Sequence, residues 1–221
     1  MTLARKQQIC VEETPYYHVV SRCVRRAFLC GFDRLTKRSF EHRRQWIIDR
    51  VKLLSSVFHI DVCAYAIMSN HYHLVLKVND TKNWSEKQVL VSWSQLCALP
   101  YLCQKFMNNE VMTNAEVEVV LKLVEEYKSR LMSISWYMKM LNQDIAFKAN
   151  AEDNCKGHFF ESRFKSQALL DERALLTAMA YVDLNPNQWG QSKLILPYPT
   201  QPRRTQRTLV SRHSRCRDSH Q

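Results

Sequence analysis

The chain's sharpest chemical feature is His71-Tyr72-His73. In a strand, successive side chains alternate between faces, so the two imidazoles share one face and Tyr72 points to the other. Two imidazoles at that separation can hold one divalent cation, each through one ring nitrogen. Alone the pattern is weak, because paired strand histidines are more often ordinary polar residues. A second pair strengthens it. Tyr181 and Asn185 stand four apart, the spacing that puts both on one helical face, with a phenolic hydroxyl beside an amide oxygen. A metal next to a phosphodiester polarises a phosphoryl oxygen, and a tyrosine oxygen can then attack phosphorus in line. The competing reading packs Tyr181 in the core and uses Asn185 to cap the helix. Asn185 also precedes Pro186, which disfavours the helical backbone there. Tyr65, Tyr72 and Tyr137 are the other candidate nucleophiles, and each reads better as packing.

These residues need elements to position them. Tyr16 to Val24 mixes β-branched, aromatic and polar residues and predicts a first strand. From Phe40 to Phe58 the residues Phe40, Ile47, Val51, Leu54 and Phe58 repeat as one face of an amphipathic helix, with Arg43, Arg44, Arg50 and Lys52 on the other. Ile60 to Ile67, the turn Ser69-Asn70 and His71 to Val78 predict a β-hairpin. Residues 84 to 107 and 114 to 149 look helical, with Pro100 interrupting the first stretch, and read as an insertion at about 80 to 150. A strand is predicted from His158 to Leu170, then a helix from Glu172 to Leu184 with Asp171 as its N-cap and Pro186 beyond its end. This order predicts an α+β fold: a ferredoxin-like antiparallel sheet flanked by helices, with a helical insertion. Residues 1 to 190 read as one domain, and 191 to 221, rich in arginine and proline, as a flexible basic tail.

Composition narrows the function. Lys and Arg number 32 against 21 Asp and Glu, a formal charge of +11, which favours a polyanionic partner. Arg22, Arg25, Arg26, Arg163 and Lys165 are the candidate phosphate contacts, although each by itself is equally a solvated surface charge. Only three glycines occur, Gly31, Gly157 and Gly190, too far apart for a dinucleotide fingerprint or a P-loop. The eight cysteines form no CxxC and read as reduced thiols. No apolar run approaches the ~20 residues of a spanning helix, and no apolar stretch follows Arg5 and Lys6, so the expected location is the cytoplasm, with no membrane partner.

Three segments carry a family resemblance: YYHVVSRCVRRAFLCG (16 to 31), AYAIMSNHYHLVL (64 to 76) and GHFFESRFKSQALLDERALLTAMAYVDLNPN (157 to 187). Together they resemble the tyrosine transposases of small insertion sequences, and within them the bacterial REP-associated branch. The resemblance implies an HUH-endonuclease fold with His71 and His73 as metal ligands for Mg²⁺ or Mn²⁺, Asn185 at the position of a third ligand, and Tyr181 as the nucleophile. It implies nicking and rejoining of single-stranded or hairpin DNA through a 5′-phosphotyrosine link, by a monomer or homodimer in the nucleoid. After the Asn185-Pro186 pair the family runs on with a Val-Arg-Ala-Gly-like sequence, where this chain has Asn187-Gln188-Trp189-Gly190. The alternative is a non-catalytic protein that binds single-stranded nucleic acid by stacking, including a decayed transposase copy.

Overall fold

A computed structural model describes residues 9–24, 28–80 and 83–184. Arg25, Arg26, Asn185 and the basic tail lie outside the described residues. The sheet has four strands, β1 (Tyr16–Arg22), β2 (Ile60–Ile67), β3 (His71–Val78) and β4 (Lys165–Ala168), in the order β2-β3-β1-β4 with all neighbours antiparallel. That order, with β1 and β2 parallel to each other and separated by β3, is the ferredoxin-like arrangement predicted from the element sequence. The helices are α1 (His42–Val57), α2 (Glu86–Ser94), α3 (Tyr101–Met107), α4 (Asn114–Leu131), α5 (Ile134–Glu152) and α6 (Glu172–Leu184).

The two faces of the sheet are covered differently. Tyr17, Val19 and Ser21 of β1 and Tyr72, Leu74 and Leu76 of β3 are buried on the face that meets α1 and α5. The main core forms there, and buried Cys23, Cys30 and Cys103 join it as small hydrophobes. Among the described residues the opposite face meets α6, which packs mainly on β2 and β3. Val182 is the buried anchor of α6, and Ala64, Ala66 and Val75 of the sheet are small enough to let the helix approach closely. A bulge between Val62 and Ala64 shifts the alternation of β2, so that Ile60 and Val62 before it and Ile67 after it all face the main core.

Three expectations need correction. First, the stretch 114 to 149 is two helices. Ser133 breaks it and accepts a hydrogen bond from the Trp136 amide to start α5. Helix α5 then packs beside α1 on the sheet as the second helix of the ferredoxin-like layer, so the additions to that layer are α2, α3 and α4. Capping boxes at Ser85 and Thr113 open α2 and α4, and Pro100 opens α3. Second, the strand predicted from His158 is only Lys165–Ala168. Before it the chain follows the end of β1 irregularly, with the Val24 amide bonding the Phe159 carbonyl and the Glu161 amide bonding the Arg22 carbonyl, because Phe159 and Phe160 both turn inward and break the alternation.

Third, Arg43 does not lie on an exposed helical face. It is fully buried at the first core position of α1, four residues before Ile47. Its guanidinium binds Glu152 (2.7 Å), Asp153 (2.5 Å) and the Phe28 carbonyl (2.8 Å), and it lies 4.3 Å from the centre of the Phe40 ring. This fork ties the start of α1 to the end of α5. Arg43→Lys should lower the unfolding free energy by about 2–4 kcal/mol in urea titrations, because a single ammonium cannot serve three divergent acceptors. Arg50→Ala, whose guanidinium only reaches the Met140 carbonyl at 3.4 Å, should cost under about 1 kcal/mol.

Candidate functional site

The strand alternation predicted for His71-Tyr72-His73 holds. Tyr72 is fully buried against the helices, and His73 lies on the α6 face, 5% exposed. In the antiparallel register Arg22 stands opposite His71 and Val20 opposite His73, and on the other side of β1 Lys165 faces Val20 and Gln167 faces His18. Directly opposed residues share a face, so His18, Arg22, Lys165 and Gln167 stand on the side of the histidine pair. Lys165 lies two strand spacings, about 10 Å, from His73 along one row of the sheet.

Among the described residues α6 packs mainly on β2 and β3, and the β1 and β4 side of this face forms the floor of an open groove of about 650 Å³. His18, His73 and Gln167 line it from the sheet, and Ala174, Thr177 and Tyr181 line it from the helix. The helical register explains this. Leu175, Ala178, Met179 and Val182 face the sheet, while the adjoining edge at 174, 177 and 181 borders the groove. Asp171 caps the helix as expected, its Oδ1 accepting from the Ala174 amide at 2.6 Å.

Tyr181 therefore does not pack in the core. It is 53% exposed, and its ring centre is 5.7 Å from that of His73 and 6.3 Å from that of His18. Tyr72 bonds Asn142 and Tyr137 lies near Ser55, both fully buried. Tyr65 is half-buried against the same core, on the side of the sheet away from the histidines. Tyr181 is thus the tyrosine of the four that meets the imidazoles in the groove.

Around the pair, Nδ1 of His73 lies 2.9 Å from Nε2 of His18, and Nδ1 of His71 lies 2.6 Å from Oδ1 of Asn70. Nε2 of His73 is buried without a hydrogen-bond partner. His18 was not singled out in the sequence. Its signal was its place in β1, two residues before Val20 and four before Arg22, but only the register with β3 turns that into a neighbour of His73. Among the described residues no group of three or more His, Cys, Asp or Glu side chains is arranged to hold a metal. The imidazole pair would need a further donor, and Asn185, expected in that role, lies outside the described residues. Of the proposed phosphate contacts, Arg22 and Lys165 stand on the site face, whereas Arg163 lines a separate groove with Lys139 and Asn142 of α5. Arg25 and Arg26 lie outside the described residues.

Burial lowers the pKa of all three histidines. For His73, burial and then the neighbouring His18, His71 and Arg22 push it down to about 4.

No family model matches the chain, and no curated protein matches it. Among solved structures, it is similar to a REP-associated tyrosine transposase bound to a REP hairpin, at 12% identity over 90% of this chain and 81% of that one, with a TM-score of 0.47.

The depressed His73 pKa makes stability depend on pH. The folded state holds the ring neutral, so the unfolded chain takes up the proton first. Stability is full above the ordinary histidine value of 6.5 and is lost as pH falls toward about 4. Urea unfolding of metal-free protein from pH 7 to 4 should show that loss, and His73→Asn should show less of it. NMR should place the His73 titration near 4; a ring titrating near 6.5 would contradict the burial argument.

Proposed function

We propose that this chain cuts and rejoins single-stranded DNA by a metal-assisted tyrosine mechanism. The observation that carries the reading is Tyr181, a half-exposed phenol on the edge of α6, facing the buried imidazole of His73 across an open groove. A surface tyrosine beside neutral histidines suits a nucleophile that must reach a large substrate. The donor set fits a divalent cation in part: both Nδ1 atoms of the pair are engaged in hydrogen bonds, leaving each ring its Nε2, and Nε2 of His73 is buried with nothing to bind.

His71 and His73 would hold the cation, with Asn185 as the proposed third protein donor. Bound there, Mg²⁺ or Mn²⁺ would polarise a phosphoryl oxygen of the scissile phosphodiester. The chain's own residues do the rest. Arg22, opposite His71, and Lys165, in the row of His73, offer positive charge to the flanking phosphates. The groove floor is half-sheet and its wall is α6, so a strand can lie against Tyr181 without displacing any core residue. The Tyr181 oxygen attacks phosphorus, the bond from phosphorus to the 3′ oxygen breaks, and the phenolic proton is lost as the 3′ oxygen gains one. One phosphodiester is exchanged for another, a 5′-phosphotyrosine, so the reverse attack by the 3′ hydroxyl rejoins the strand with no outside energy. Along β1 and β4 this face presents Tyr16, His18, Val20, Arg22, Lys165 and Gln167, a mixture of imidazole, cationic and amide groups with one tyrosine, which favours this reading over a stacking platform.

Incubation with hairpin DNA carrying single-stranded flanks and Mn²⁺ or Mg²⁺ should give a covalent adduct on a denaturing gel. Tyr181→Phe should abolish the adduct while changing stability by less than about 1 kcal/mol, since only an exposed hydroxyl is lost. A Tyr181→Phe protein that still forms it, or an adduct mapped to Tyr65, overturns the assignment. Arg22→Ala and Lys165→Ala should each weaken binding and lower the salt slope by about one counterion.

A further inference from the structure

We propose that His18 is a positioning residue for His73: its Nε2 accepts the Nδ1–H of His73 and so keeps Nε2 of His73 unprotonated and free to bind a cation. The inference rests on the reading of His71 and His73 as metal ligands and extends it to a residue on another strand.

The geometry argues first. His18 and His73 are diagonal neighbours on one sheet face, since Val20 opposes His73 and His18 opposes Val75. Their rings are nearly parallel, 12° apart, with centres 5.1 Å apart and the two nitrogens 2.9 Å apart, the spacing of an in-line bond between two five-membered rings.

The polarity of that bond follows from what surrounds it. Nε2 of His73 is buried and lacks a partner. Were His18 the donor, the neutral His73 would carry its proton on Nε2, a buried N–H with no acceptor, and such orphan donors are rarer and costlier than a bare lone pair. With His73 donating, the proton sits on the bonded nitrogen and the bare one is a ready ligand. His71 is oriented in the same sense by Asn70, whose Oδ1 can only accept, so Nδ1 of His71 donates. Of the two supports, Asn70 is on an exposed turn, while His18 is half-buried on a central strand, so His18 holds its partner with the smaller loss of order on binding.

Long-range ¹H–¹⁵N spectra of metal-free protein at pH 7 read the tautomer directly. The expected result is His73 protonated on Nδ1 in the natural sequence. His18→Leu should move the proton to Nε2 and weaken Mn²⁺ binding, followed by EPR, about 10–100-fold. His18→Gln, whose Oε1 accepts as the ring nitrogen did, should restore the tautomer and most of the affinity. An Nε2–H tautomer in the natural sequence, or an unchanged tautomer in His18→Leu, overturns the role of His18; the first of these decides the matter even if His18→Leu does not fold. An Nδ1–H tautomer with no Mn²⁺ binding in the natural sequence overturns the assignment of His71 and His73 as ligands. That result is distinct from a wrong tautomer with Mn²⁺ bound, which removes His18 alone.

Discussion

Everything at the site depends on the register between β1 and β3, and a small polar cluster beneath the sheet holds it. Ser21 opposes Tyr72, and Asn142 of α5 reaches both, donating through Nδ2 to the Ser21 hydroxyl and accepting from the Tyr72 hydroxyl through Oδ1. Ser21 is 1% exposed and Tyr72 is fully buried, so a shift that broke these bonds would leave polar atoms unsatisfied in the core. A one-residue slip would also turn every side chain of a strand to the other face. It would drive the histidines into the helix layer and bring Leu74 and Leu76 to the groove. The residues flanking this locked pair, Val20 and Arg22 on one strand and His71 and His73 on the other, are the ones that meet on the open side.

The groove is a consequence of incomplete coverage. A sheet with helices over the whole of both faces would bury more apolar area but leave no approach to its centre. Here α1 and α5 supply a large core on one side, and among the described residues the other side carries a short helix packed mainly on two strands. The cover that α6 does provide desolvates His73 while its edge keeps Tyr181 in solvent. One helix thus sets two opposite environments a few ångströms apart: a neutral, dry imidazole and a reachable phenol.

Much of this was legible in the chain because it is local. The alternation in His71 to Val78, the turn at Ser69-Asn70, and the Asp171 cap before a helix whose buried face recurs at three and four all depend on neighbours within a few residues. What escaped was non-local or broke the usual polarity. His18 reads as one polar residue in a strand until β3, 55 residues away, is laid beside it. Arg43 reads as solvated because a buried arginine requires acceptors, and its carboxylates are 109 and 110 residues distant. The length of β4 escaped because Phe159-Phe160 and Phe164 look like strand residues yet bury from an irregular segment.

The charge balance illustrates the same distinction. An excess of 32 basic over 21 acidic residues points to a polyanion only if the basic groups are available to one. Several are not. Arg43 is consumed in joining α1 to α5, Arg44 binds Glu41 and the Ile67 carbonyl, and Arg130 lies over Trp93, Tyr127 and Trp136 while pairing with Glu126. Lys105 pairs with Glu116 across α3 and α4. Such cations are held by packing as much as by charge, so they stabilise the scaffold rather than a ligand. The cations on the groove face are placed there by register: Arg22, exposed, adds to burial in lowering the pKa of His71 and His73, and Lys165 stands at the edge of the same face. Net charge therefore says less about this chain than the face on which each charge falls, and that is decided by the strand register from which the site is built.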